Sequence, residues 1–295
     1  MTRAILPGRD AHESPFTSGI FGYVPTAAML RGRTHKHLTL HGRGPAISMN
    51  SADLATLATL ALLAFGGAFI FGVTGFGSAL LTIPLATHLV PLPFALAMFS
   101  LLDCSNAWRV GLENPKAAVG VEWKRMLPAV VVGTVIGMTL LVNLPRNAAM
   151  VALGVFVLAV AISNLASGDA IRTLSRRWAP VAGFTGGITS TLFGAGGPPY
   201  AIYLSRRGMS KEAYRATLGF CTIFSITLRV VVFIIAGMLM SVKPWLWALA
   251  VFPASYAGMW TARKAFNGLS RDLLMRLIGV MLVASGVSLI LRGLA

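Results

Sequence analysis

The feature that most constrains the fold is a long apolar stretch between Leu54 and Trp108, in which Asp103 is the single charged side chain. A transmembrane helix needs only about 20 consecutive apolar residues, so this stretch alone is long enough for more than one crossing. Further apolar runs continue almost to the C-terminus. The pattern predicts an all-α, polytopic membrane protein whose partner is the lipid bilayer, with about eight or more spans.

Composition argues against the soluble classes. Charged residues make up 12% of the 295 residues and the mean hydropathy is +0.74, whereas soluble domains carry roughly 25% charged residues. The net charge of +16 would suggest nucleic acid as a partner in a soluble protein. Here the basic residues lie in short loops, where they set topology, so we expect no nucleic-acid partner. Cys104 and Cys221 lack the spacing of a disulfide framework or a metal site, and we expect no metal and no cofactor.

Residues 1–50 differ from the rest of the chain. They are basic, rich in Gly, Pro and His, and contain no apolar run longer than a few residues, which is typical of a disordered segment. They also lack the apolar core of a signal peptide, which is about 7–15 residues long. Because Met49 directly precedes the first apolar run, it is an alternative translation start. Both interpretations of the segment stay open.

Two internal repeats are predicted, over 54–168 and 178–293. The segments 71–84 and 193–204 are both apolar stretches split by glycine, and they align at an offset of 122 residues. Three long apolar runs follow each segment, and matched Gly/Pro-interrupted segments in two halves are typical of many secondary transporters. The apolar runs cover 54–71, 78–90, 93–110, 126–142, 147–167, 180–193, 198–205, 216–238, 244–261 and 273–291.

The loop charges predict how the repeats are oriented. Most basic residues fall in four loops, and single ones, Arg146 and Lys243, fall in two others. Placing the basic loops in the cytoplasm inverts one repeat relative to the other and puts both ends of the mature chain outside. The basic segment 1–50 conflicts with that orientation, and a start at Met49 removes the conflict. The four basic loops are 111–125, 168–178, 205–215 and 262–272.

The glycine runs predict broken helices. Unpaired backbone groups in lipid cost several kcal/mol each, so such breaks survive only inside protein or beside water. Pro198 and Pro199 suit the first turn of a helix, so one half-helix should begin near Pro198 and its counterpart near Gly77 or Ser78. Helix N-termini attract anions, although the glycines could instead serve only close packing. The candidate binding residues at the breaks are Gly72, Gly75, Gly77, Ser78, Gly194, Gly196, Gly197 and Pro198.

Arg229 and Asp103 are the charged side chains placed well inside predicted spans. A charge at the centre of a membrane helix costs at least about 2.5 kcal/mol without a partner, so both should face the protein interior. They could form a structural ion pair, or Arg229 could be freed to hold an anionic substrate while Asp103 carries a coupling proton. Asn106, three residues from Asp103, is a further candidate for substrate binding.

With both breaks identified, the chain resembles the TauE/SafE sulfite exporter family. The resemblance rests on FGVTGFGSALLTIPL at 71–85, GFTGGITSTLFGAGGPPYAIYL at 183–204 and MSKEAYRATLGFCTIFS at 209–225, and it extends over nearly all of 54–293. It implies a permease of the bacterial inner membrane with two repeated halves, which moves sulfite, sulfonates or related anions, usually outward. The first break departs from the common pattern, because Val73, Thr74 and Phe76 stand where more glycine is usual.

The function predicted is a secondary transporter, and an exporter by the resemblance, of small sulfur-containing anions. A permease for an unrelated organic anion such as a carboxylate, and a membrane scaffold without substrate, stay open as alternatives. An intramembrane enzyme would need a motif that this chain lacks, so we expect no catalytic residues. The sequence leaves open the anion, the direction, the coupling ion and the oligomeric state, with a homodimer as one alternative.

Overall fold

The structure is a computed structural model, and it describes residues 51–166, 174–265, 283, 286–291 and 293–294. The predictions for segment 1–50 and for a start at Met49, and most of the last apolar run, lie outside these residues. The described residues are helical and include no strand. The α-helices are α1 Ser51–Thr74, α2 Ser78–Ala86, α3 Leu92–Gly111, α4 Gly120–Asn143, α5 Arg146–Ala166, α6 Ala179–Phe193, α7 Gly197–Ser205, α8 Lys211–Ile235 and α9 Val242–Ala265.

The helices confirm an all-α membrane protein. Within the described part of the chain, three helices are long and apolar enough to cross a bilayer: Asp53–Thr74, Gly120–Asn143 and Lys211–Ile235. Large apolar side chains such as Val132, Val135 and Leu249 point outward and are more than half exposed. A soluble protein rarely exposes a large contiguous apolar surface, so lipid is the environment that suits these faces.

Both glycine breaks fall where the sequence predicts them. α1 ends at Thr74 and α2 begins at Ser78. α6 ends at Phe193 and α7 begins at Gly197. Gly75, Gly77 and Gly194 adopt φ values of 82°, 92° and 76°, which side chains other than glycine rarely accept. The chain therefore needs glycine at these positions to turn between the paired helices.

Two helices begin earlier than the apolar runs suggest. α4 begins at Gly120 rather than near residue 126, because charged residues such as Glu122 lie in its first turn, where an acidic side chain favours the helix dipole. α8 begins at Lys211 rather than near residue 216. The hydroxyl of Ser210 accepts a hydrogen bond from the backbone N–H of Ala213 and caps this helix. Both helix starts are polar, so charge by itself does not mark a loop in this chain.

Glycine lets the long helices approach closely. α4 packs along α6, and α1 packs along α9. A Cβ added at Gly133 of α4 would overlap the backbone carbonyl of Phe184, and one at Gly258 of α9 would overlap that of Phe65. Membrane helices associate through such small-residue contacts, because lipid tails provide no hydrophobic drive for them to pack together.

We expect Gly133→Ala to lower the free energy of unfolding by about 1–3 kcal/mol, because the added methyl group meets backbone that cannot rotate away. Gly66→Ala is the matched control. A Cβ there makes only ordinary contact with Leu81, at 3.6 Å. Thermal unfolding in detergent would measure both variants. Equal melting temperatures would contradict the packing described here.

Candidate functional site

The two breaks meet around one small cavity. Its interior has room for about one or two water molecules. Residues from both breaks line it, together with residues of α3 and α8. The lining residues are Phe71, Phe76, Gly77, Ser78, Asp103, Ser190, Gly194, Ala195, Gly196, Gly197, Tyr200, Thr222, Ser225 and Ile226.

Two helix N-termini open on this cavity. The N-cap of α2 is Gly77 and that of α7 is Gly196, and both glycines line the cavity wall. Glycine has no side chain to accept a hydrogen bond from the first N–H groups of the helix, which have no partner within the helix. Each end also carries roughly half a positive charge from the helix dipole. The cavity is thus bordered by two positive helix ends.

Hydroxyl groups supply most of the remaining polar lining. The Ser78 hydroxyl donates to Oδ1 of Asp103 over 2.6 Å, and the Tyr200 hydroxyl donates to Oγ of Ser225 over 3.0 Å. The Oγ of Ser190 is fully buried and has no hydrogen-bond partner among the described residues. A buried hydroxyl is normally hydrogen-bonded, so Ser190 keeps an unused donor at the cavity wall.

Arg229 lies next to the cavity wall without lining it. Its side chain is 1% exposed. Nη2 contacts Oδ2 of Asp103 at 3.3 Å, and Nη1 donates to the backbone carbonyl of Ser190 over 2.9 Å. Nε has no partner among the described residues. A Cβ at Gly194 would lie 3.4 Å from Nη1, so the missing side chain at the break leaves room for the guanidinium.

The structure brings most of the predicted site residues together. Those that line the cavity are Gly77, Ser78, Asp103, Gly194, Gly196 and Gly197. Arg229 binds two of the lining residues, as described above. The ion pair between Asp103 and Arg229 is one of the two arrangements left open by the sequence.

The other predicted site residues lie outside the lining. Gly72 faces Met259 and Ala262 of α9, and its carbonyl accepts a hydrogen bond from Arg215. Gly75 forms the turn after α1, and Pro198 is buried in the first turn of α7. The amide of Asn106 donates to Ser255 of α9 over 3.0 Å.

Ser190, Thr222 and Ser225 also line the cavity and are not among the binding residues predicted from the sequence. Ser190 lies three residues before the end of α6, so it reaches the break from the side of α6. Thr222 and Ser225 are three residues apart on α8 and share one face. Their spacing and their position on the helix that carries Arg229 are signals that the sequence does contain.

A second buried charged cluster surrounds Glu122, which the sequence analysis placed in a loop. Its carboxylate is 3% exposed and accepts from Tyr203 Oη at 2.6 Å, from Arg207 Nη2 at 3.0 Å and from Arg176 Nε at 3.1 Å. Tyr203 lies near the C-terminal end of α7 and Arg207 follows it. The cluster therefore connects the C-terminal end of α7 to the first turn of α4.

The fold and the cavity together define a membrane transporter: apolar helices, two of them broken by glycine, with a polar cavity where the breaks meet. The chain matches the family described as "Sulfite exporter TauE/SafE" over residues 60–289. It belongs to this family and is a multi-pass protein of the inner membrane. It is also 25% identical over 174 residues to "Probable inner membrane transporter protein TsaS" of Comamonas testosteroni, which covers 57% of this chain and 72% of that relative. No solved structure matches the chain.

We expect Glu122→Ala to lower the free energy of unfolding by about 2 kcal/mol or more, because it leaves buried donors without a charged acceptor. Glu113→Ala is the matched control. Glu113 also binds two arginines, Arg215 and Arg263, but its side chain is 33% exposed, and exposed pairs contribute about 1 kcal/mol or less. Thermal unfolding in detergent compares the two variants, and a larger loss for Glu113→Ala would contradict this ranking.

Proposed function

We propose that this protein is a secondary transporter of small sulfur-containing anions, such as sulfite or organosulfonates. The observation that carries the proposal is the pair of helix N-termini, at Gly77 and Gly196, which open on one small polar cavity. Such ends bind oxyanions through backbone N–H groups, and glycine allows the anion to approach them closely. The family description supports sulfite as the type of anion.

The polar groups of the cavity suit an oxyanion. The N-terminal ends of α2 and α7 border the cavity at the two breaks. Ser190 adds a hydroxyl that has no partner among the described residues. Arg229 lies next to the cavity wall, where it binds Asp103 and the carbonyl of Ser190. Its planar guanidinium carries donors in an arrangement that matches an oxyanion. The cavity has room for about one or two water molecules, so an organosulfonate would require the breaks to move apart.

We further propose that the chain consists of two inverted repeats, with α1–α5 in the first and the chain from α6 onward in the second. Helix pairing supports this division. α1 packs on α9, and its counterpart α6 packs on α4, which is the exchange expected when a two-fold axis relates the halves. α3 packs on its own counterpart, α8. Alternating access would then come from one half rocking against the other around the cavity.

The proposal is tested by flux in proteoliposomes. We expect uptake and efflux of labelled sulfite and of methanesulfonate above the level of protein-free liposomes. Ser190→Ala should raise KM for the anion about tenfold or more, because it removes a hydrogen bond to a charged ligand. It should leave the melting temperature unchanged, since this hydroxyl has no partner among the described residues.

Thr134→Val is the matched control for this hydroxyl. Thr134 is also fully buried, and its hydroxyl has no partner among the described residues, but it lies outside the cavity lining. Its flux should equal that of the unmodified protein. Acetate provides the substrate control. Flux of acetate without flux of either sulfur anion would reject the sulfur anions in favour of a carboxylate permease. An equal KM for Ser190→Ala and Thr134→Val would remove Ser190 from the binding site.

A further inference from the structure

We propose that Asp103 is the site at which a proton binds and travels with the anion, so that transport is proton-coupled and electroneutral for a monoanion. This inference rests on the proposed transport function and adds its coupling ion. It starts from the position of Asp103, which is the charged side chain in the cavity lining of the described structure and also the counter-ion of Arg229.

The surroundings of Asp103 contain few groups that can ionise. α8 brings Arg229 to Oδ2, and α2 brings the Ser78 hydroxyl to Oδ1. α7 brings the phenol of Tyr200 to the same cavity, where it is hydrogen-bonded to Ser225. α1 contributes the side chain of Phe71 to the lining and α6 contributes the hydroxyl of Ser190, while the breaks after them add Phe76, Ala195 and glycines. α9 contacts α3 through Ser255, which binds Asn106, and through Tyr256, whose ring lies against the guanidinium of Arg109. Cys104 is the neighbour on α3 itself.

An ionised Asp103 and a bound anion exclude each other. The cavity is so small that the carboxylate and a substrate anion would lie within a few ångströms, and like charges at that distance repel strongly in a medium of low dielectric constant. In the described state, Asp103 already occupies Nη2 of Arg229. The guanidinium is therefore neutralised and contributes little attraction for a second anion.

A proton on Asp103 reverses this situation. The neutral carboxyl group no longer repels the anion and no longer compensates Arg229, whose buried charge then needs another counter-ion. The substrate anion can supply that charge from the adjoining cavity. Ser190 Oγ at the cavity wall and Arg229 Nε beside that wall are donors without a partner among the described residues. Anion and proton thus bind together, and release of one favours release of the other.

The balance of charge gives the expected stoichiometry. One carboxyl group carries one proton, so a monoanion moves with about one proton and no net charge crosses the membrane. Each unit of pH difference can then support about a tenfold concentration ratio of the anion. A carrier that moved the anion alone would respond to membrane potential instead.

The test uses the full chain in proteoliposomes with methanesulfonate, which is a permanent anion in this pH range and cannot itself carry the proton. A pH gradient that is acidic outside should drive accumulation of the anion, and an entrapped pH dye should report internal acidification that accompanies it. A potential imposed with potassium and valinomycin should have little effect on the flux. Flux that follows the potential and moves no protons would overturn the proposal while leaving the transport function intact.

Asp103→Asn separates coupling from transport. The amide has nearly the shape of the carboxyl group and cannot take up the proton, so any exchange of labelled for unlabelled methanesulfonate that the variant retains should move no protons. Its accumulation driven by the pH gradient should fall to the level of protein-free liposomes, and its flux should become sensitive to potential. Glu113→Gln is the matched control, because it weakens an arginine–carboxylate cluster outside the cavity. This control should keep full coupling.

The outcomes distinguish the two proposals. If the unmodified protein transports no sulfur anion, the proposed function fails. If it transports methanesulfonate and Asp103→Asn still accumulates it from a pH gradient, the proton site at Asp103 is wrong. If the variant does not fold, the dye and potential measurements on the unmodified protein still decide between coupled and uncoupled movement.

Discussion

The fold depends on how the backbone of a broken helix is paired away from water. α6 ends inside the bundle, and the carbonyl of Ser190 in its last turn accepts from both Arg229 and the N–H of Gly194. An unpaired carbonyl in a membrane interior costs several kcal/mol. A buried guanidinium is costly too, and Asp103 balances its charge. The break, the arginine and the acid therefore depend on one another, and each makes the other two tolerable.

The same contacts make the two breaks chemically unequal. At the offset of 122 residues, Asp103 corresponds to Ser225 and Arg229 corresponds to Ala107. Ser225 lines the cavity, whereas Ala107 is fully buried elsewhere. Each break thus contributes a helix N-terminus, but the acid lies on α3 and the guanidinium on α8. Two breaks of similar backbone therefore adjoin one cavity with Asp103 in its lining and Arg229 next to its wall.

Much of the architecture could be predicted from the sequence, because membrane helices leave strong signals. Apolar runs separated by charges gave the order of the helices, and glycine with Pro198 marked both breaks. The pairing of Asp103 with Arg229 was also one of the arrangements expected, since two charges within spans have few other partners. Gly72 and Asn106 were harder to assign, because glycine and asparagine serve helix packing as readily as ligand binding.

Other features could not be read from local patterns. Glu122 looked like part of a basic loop, and its burial depends on Tyr203, Arg207 and Arg176, which lie far away in the chain. Ser190 looked like an ordinary helix residue, and only the three-dimensional arrangement shows that its hydroxyl borders a cavity. Both cases depend on which distant elements meet, and a single sequence carries little information about such contacts.

α8 connects the two breaks mechanically. Arg229 binds the carbonyl of Ser190 at the end of α6, and Arg215 binds the carbonyl of Gly72 near the end of α1. The two arginines lie roughly 21 Å apart along one continuous helix, at about 1.5 Å per residue. Because a helix is stiff along its axis, a shift of α8 would move Arg215 and Arg229 together. It would therefore act on α1 and α6 at the same time. Arg229 and Arg215 thus connect both breaks to α8, so a movement of α8 would change a contact at each break.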